Sequence, residues 1–159
     1  MNKTNAMRRL DAAKIKYEVK EYTVDENDLA GTHIAEQIGL PFEMVFKTIV
    51  TKGDKNGYAV FCIPCDKEIN LKRAATVTGN KKLEPVHVKD LLGLTGYIRG
   101  GCSPIGMKKQ FPTYFDKSVE AQRMITISSG VRGAQLLVDS AELISYLKAN
   151  IADVTEKHI

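Results

Sequence analysis

The hydrophobic and polar positions change period several times along the chain, and each change marks an element. Met7, Leu10 and Ala13 recur at helical spacing, with Thr4 or Asn5 placed to cap them. Residues 17–22 read as a short strand. Ile34, Ala35 and Ile38 define a second helix, with Thr32 as its cap and Gly39 as its terminator. The pattern then changes character. Val45, Phe46, Thr48, Ile49, Val50 and Thr51 are β-branched or aromatic, and residues 58–63 repeat that character after a polar turn at 53–57. Together they predict a hairpin. Asn70 caps a helix through Ala74 and Ala75 that Gly79 ends, and residues 87–92 predict another short helix. Strands follow at 123–128 and 135–138. Ser140 then caps a helix carrying Leu143, Ile144 and Leu147, with Glu142 early and Lys148 late, as the helix dipole favours.

Strands and helices are intermixed without a regular βαβ repeat, and the hairpin turn is too short for a parallel crossover. The expected fold class is therefore α/β (α+β): one compact domain over residues 1–159, with a mixed, curved sheet flanked by helices. No linker or repeat divides the chain, and the strand order is not readable.

Composition narrows the function classes. Apolar residues make up 43% of the 159, as in an ordinary globular protein. No apolar run approaches the roughly 20 residues needed to span a bilayer. The first residues lack the apolar stretch of a signal peptide, so a cytoplasmic location is expected. Three cysteines, an odd number, argue for reduced thiols over a disulfide framework. The net charge of +4 decides little, but its placement is informative. Lys72-Arg73, Lys81-Lys82 and Lys108-Lys109 are basic pairs near predicted turns, suited either to a phosphate backbone or simply to solvent.

Candidate chemistry sits in four places. Lys47 interrupts an apolar strand, and period-two alternation puts it on the face of Ile49 and Thr51, opposite Phe46, Thr48 and Val50. Such a lysine lies either on an exposed face or in a pocket, where its ammonium would hold an anion or polarise a carbonyl. Gly100-Gly101-Cys102-Ser103-Pro104-Ile105-Gly106 is either a tight loop or a cradle of backbone N–H groups for an oxyanion. Ser128-Ser129-Gly130-Val131-Arg132-Gly133 is a turn by default, with hydroxyls a ligand would find useful. Cys62-Ile63-Pro64-Cys65 has a redox spacing, but Cys62 is expected to end a strand and to be followed by a polar turn, not by a helix N-terminus that would acidify a thiol. His33, His87 and His158 are scattered, and neither a Ser-His-Asp set nor zinc-site spacing is evident.

Phe46-Lys47-Thr48, the 100–106 loop and the 128–133 loop, in that order and at those separations, resemble the three signatures of the YbaK/EbsC-type family, and the likeness runs over nearly the whole chain. The resemblance implies the fold of the editing domain inserted in bacterial prolyl-tRNA synthetases, a barrel-like mixed sheet curved around a pocket. It implies a trans-editing deacylase clearing Cys-tRNA(Pro), with Cys-tRNA(Cys) as a further substrate. No cofactor, metal, membrane or DNA is implied. The aminoacylated 3′ end of tRNA would be one partner, and prolyl-tRNA synthetase the other. Lys47, Gly100 and Gly101 then fall in catalytic positions. Tyr22, Phe46, Ser103, Ser129, Gly130 and Gln135 fall in the substrate site, and the basic pairs Lys72, Arg73, Lys81, Lys82, Lys108 and Lys109 would hold the tRNA. Gln135 departs from those members that carry an aspartate shortly after the Arg-Gly pair. The family mechanism needs no protein nucleophile, because the substrate cysteine's thiol attacks its own ester. The rival readings are a deacylase for another small amino acid such as alanine, a non-catalytic module binding tRNA or the synthetase, and a dithiol redox protein.

Overall fold

The hairpin is the frame of the computed structural model, which describes residues 1–156. Strand β2 (Phe46–Gly53) pairs antiparallel with β3 (Tyr58–Pro64), Lys47 opposite Ile63 and Thr51 opposite Ala59. Alternation along β2 divides two cores. Phe46 and Val50 join the main one with Val60 and Cys62, while Ile49 packs with Ala59, Phe61 and Ile63 on the other side. A second antiparallel unit is built from β1 (Tyr17–Glu21), β7 (Ala134–Asp139) and β6 (Met124–Ser128), in the order β1-β7-β6.

Three short strands had no readable signal. They are β4 (Leu83–Pro85), β5 (Thr113–Asp116) and β8 (Asn150–Ala152). They extend the hairpin into a mixed sheet, β4-β2-β3-β5-β8, in which β3, β5 and β8 run parallel. The expected curved sheet thus resolves into two sheets. Among the described residues they join at one parallel bridge, between Val45 and Thr126, and do not close into a barrel.

Five helices cover these sheets among the described residues: α1 (Asn5–Ala12), α2 (Gly31–Ile38), α3 (Leu71–Thr78), α4 (Val88–Thr95) and α5 (Ser140–Leu147). Thr4 caps α1 by accepting from the Met7 N–H, and Asn70 caps α3 by accepting from the Arg73 N–H. Two expected caps are shifted. Asp139 caps α5, leaving the Ser140 hydroxyl to donate to the Gln122 carbonyl at 2.6 Å. Ala30 stands at the N-cap of α2 without a side-chain bond, and Thr32 lies inside that helix. Gly39 and Gly79 end α2 and α3 in the left-handed conformation that glycine adopts without strain. Cys62 lies inside β3, not at its end. No helix among the described residues is long and apolar enough to cross a membrane.

A candidate active-site cleft at the seam between the sheets

Strand β2 is paired on both edges only at its C-terminal end, where β4 runs beside Thr51, Lys52 and Gly53. At the other end, among the described residues, β6 is bridged to this edge through Val45, just before β2 begins. The edge between is uncovered. Val45, Phe46, Lys47, Thr48 and Ile49 all line one cleft, of volume ≈ 490 Å³. Five consecutive residues of an alternating strand can share a cavity only if the strand presents its edge to it. The opposite wall comes from Ser128 and Gln135 on β6 and β7, and from Arg99, Gly100 and Cys102. Residues 27–31 and Ile34 complete the lining.

The Lys47 side chain is half-buried in this cleft, and its ammonium makes no hydrogen bond or ion pair among the described residues. Burial lowers its pKa from 10.5, against the upward pull of the Cys65, Glu68 and Asp66 charges. An ammonium desolvated in this way favours an anionic or strongly polar ligand that would restore its lost hydration.

Across from it, Gln135 is almost fully buried, and its Oε1 accepts from the Thr126 hydroxyl at 3.1 Å. With the carbonyl end held, the amide NH₂ remains for a ligand.

The glycine loop divides its amides. The Gly101 N–H donates to the Ile98 carbonyl at 3.0 Å and is therefore committed within the loop. The amides of Gly100 and Cys102, both cleft residues, have no such partner among the described residues. Gly100 has φ +86°, a conformation that favours glycine. Gly101 is glycine for space: a Cβ there would come within 3.1 Å of the Val131 backbone.

The second loop fastens the first. Arg132 Nε donates to the Arg99 carbonyl at 2.8 Å. Tyr97 packs under Gly130, where a Cβ would meet its ring at 2.9 Å, and its hydroxyl donates to the Ile105 carbonyl.

Of the residues singled out in the sequence, Lys47, Phe46, Gly100 and Gln135 come together in the cleft. Gly101, Ser103, Ser129, Gly130 and Tyr22 do not line it. Ser103 is fully buried and accepts from the Ile105 N–H at 3.2 Å. Ser129 turns its hydroxyl onto Val131 within its own loop. Tyr22 follows β1, its N–H donating to the Gly133 carbonyl at 2.9 Å. These residues shape the loops that wall the site.

The basic pairs lie away from the cleft lining. Lys72 and Arg73 belong to the first turn of α3, not to a turn between elements, and Arg73 is ion-paired to Asp153 at 3.0 Å. Lys81, Lys82, Lys108 and Lys109 are exposed. His33 sits on α2 with Nδ1 3.8 Å from Asp28, His87 stands at the N-cap of α4, and His158 is outside the described residues. Ser128, the first residue of the second loop motif, also lines the cleft, whereas sequence reasoning missed Arg99 and Asp28. For Arg99 the signal was its place directly before Gly100-Gly101.

The three thiols are poor nucleophiles here. Burial pushes Cys62 and Cys102 to about 12, and Cys65 to about 11, so each is a protonated thiol at neutral pH. The dithiol redox reading loses its physical basis.

Comparison with known proteins identifies the family and the fold. Residues 31–146 match the model of the aminoacyl-tRNA editing domain. The chain is 44% identical over 155 residues to a protein of Enterococcus faecalis named as a candidate Cys-tRNA(Pro)/Cys-tRNA(Cys) deacylase, EbsC, covering 98% of this chain and 94% of that one. It is 29% identical over 98 residues to a proline–tRNA ligase of Fervidobacterium nodosum, a match covering 62% of this chain and 17% of the enzyme. A solved structure described as a candidate trans-editing enzyme for prolyl tRNA synthetase shares the fold, with TM-score 0.81, 21% identity, and coverage of 98% of this chain and 100% of that one. The chain belongs to the aminoacyl-tRNA editing domain family.

Proposed function

We propose that the protein is a free-standing deacylase that hydrolyses cysteine from mischarged Cys-tRNA(Pro), and from Cys-tRNA(Cys), with prolyl-tRNA synthetase as its working partner. The observation that carries this reading is the near full-length identity to the Enterococcus deacylase candidate. The cleft at the seam between the sheets supports it, because it offers a lysine and free backbone amides without an ionised protein thiol.

In the proposed reaction the substrate supplies the nucleophile. The cysteinyl thiol attacks its own ester carbonyl, forming a C–S bond. The C–O bond to the ribose breaks, and the thiol proton passes to the leaving ribose oxygen. A thiolactone departs and water opens it to cysteine. The protein's task is to fold the aminoacyl group against its own ester and to stabilise the oxyanion. Because the Gly101 N–H is already used, the donors assigned to the oxyanion are the Gly100 and Cys102 amides. Lys47 polarises the ester carbonyl from inside the cleft, and the Gln135 amide orients an ester or carbonyl oxygen.

A panel of Cys-, Ser-, Ala- and Pro-tRNA(Pro) tests the reading. Cys-tRNA(Pro) is expected to be cleared fastest. Faster release of alanine would replace the thiol mechanism with water attack, and no release from any of them would leave a binding module.

A further inference from the structure

The deacylation chemistry leaves two arginines unused, one lining the cleft and one packed behind the same loop. Arg99 lines the cleft and is exposed. Arg132 lies against the same loop. A Cβ on Gly100 would fall 3.5 Å from Arg132 Cγ and 3.2 Å from its Nε, so the arginine stem covers the Gly100 backbone. Its Nε–H is spent on the Arg99 carbonyl at 2.8 Å, which fixes the guanidinium beside the loop and leaves its terminal amino groups without a partner among the described residues. Neither arginine has an ion pair among the described residues. The carboxylate that lines the cleft, Asp28, is occupied locally: Oδ1 accepts from the Ala30 N–H at 3.2 Å and Oδ2 lies 3.8 Å from His33. The six lysines and arginines of the basic pairs do not reach this site.

We infer that Arg99 and Arg132 form a phosphodiester-binding site at the cleft mouth, specific for the phosphate on the 5′ side of the substrate's terminal nucleoside. The inference rests on the deacylase reading, since that reading fixes where the ester must lie. If the ester enters between Lys47 and the glycine loop, the ribose that carries it stands at the mouth, and its 5′-phosphate is the first charged group outside. A guanidinium fork matches phosphate oxygens bidentately, and one already anchored through Nε loses little rotamer freedom on binding. The same loop then carries both the phosphate ligands and the amides that meet the reacting carbonyl.

Two small substrates separate this site from the rest of the tRNA: 3′-O-cysteinyl-adenosine, and the same ester bearing a 5′-phosphate. The wild-type protein is expected to cleave the phosphorylated ester with kcat/KM at least tenfold higher. Arg99→Gln and Arg132→Gln should each cut that ratio threefold or more. The ratio cancels any general loss of fold or loop geometry, which would slow both esters alike. A wild-type ratio near one, or a ratio unchanged in both variants, overturns the phosphate site. So does failure to cleave either ester by a protein that clears Cys-tRNA(Pro), since the decisive contacts would then lie elsewhere on the tRNA. If no charged tRNA is cleared at all, the deacylase reading itself has failed, and that result is distinct from the others.

Discussion

Strand β2 is two strands in its chemistry. Its C-terminal part, from Thr51 to Gly53, has β3 on one side and β4 on the other. There Thr51 is fully buried, and its hydroxyl is spent on the Ala59 carbonyl at 2.9 Å. Its N-terminal part has β3 alone, and the free edge opens onto the cleft between the Val45–Thr126 bridge and the bond from the Val86 N–H to the Val50 carbonyl. There Lys47 is half-buried with no partner among the described residues. The same run of β-branched residues thus builds core where pairing is complete and a site where it is not. The difference comes from where β6 and β4 stop.

Substitutions in the two parts should therefore separate activity from stability. The largest effect is expected at Lys47. Lys47→Met should lower single-turnover deacylation of Cys-tRNA(Pro) by ~100-fold or more, the scale of losing one preorganised electrostatic group. It should also raise the melting temperature by about 2 °C, because a buried charge that opposes folding is removed. The sign follows from the lowered pKa: the folded protein disfavours the proton, so the lysine costs stability below its folded pKa. That cost fades as pH rises from the lowered folded pKa toward 10.5, the unfolded value, and is gone above it, so the stability gain of Lys47→Met should disappear over the same window.

Next comes the facing loop. Gly101→Ala should reduce kcat by roughly tenfold, since its Cβ would push on the Val131–Arg132 backbone and displace the neighbouring amides. Circular dichroism should show the fold retained. Thr51→Val, in the closed half, should do the reverse, with kcat/KM unchanged within twofold and about 1 kcal/mol lost in denaturant unfolding. If Thr51→Val were as inactive as Lys47→Met, the division of β2 would be wrong. The smallest effect on activity is expected at Cys62, wholly inside the core: Cys62→Ala should leave deacylation unchanged while lowering stability by about 1 kcal/mol.

Much of this division is legible before folding. The β2–β3 hairpin follows from local β-branched density, and Lys47 stands out because its neighbours are apolar. The strands β4, β5 and β8 are three or four residues long, and their partners are distant in sequence, so no local periodicity reveals them. Yet β4 is what closes half of β2. The site shows the same limit. Gly100 and Gln135 are visible as motif residues, but the loss of the Gly101 amide to Ile98 depends on how the loop closes. Ser103 and Ser129 share the motifs and serve the loops, because a hydroxyl next to a tight turn is readily taken by the nearest backbone group. Arg99 is marked in the sequence only by its place before Gly100-Gly101, and that place gains meaning once the loop lines the cleft.

The account turns on a site that folds a substrate thiol onto its own ester. The most direct measurement compares single-turnover release from Cys-tRNA(Pro) and from the same tRNA carrying S-methylcysteine. A thiol of ordinary acidity supplies a few per cent thiolate at neutral pH, and methylation removes it without emptying the site of the side chain. The predicted result is rapid release of cysteine and no release of S-methylcysteine above the uncatalysed rate. Comparable rates for the two would contradict the account, because the nucleophile would then have to be water.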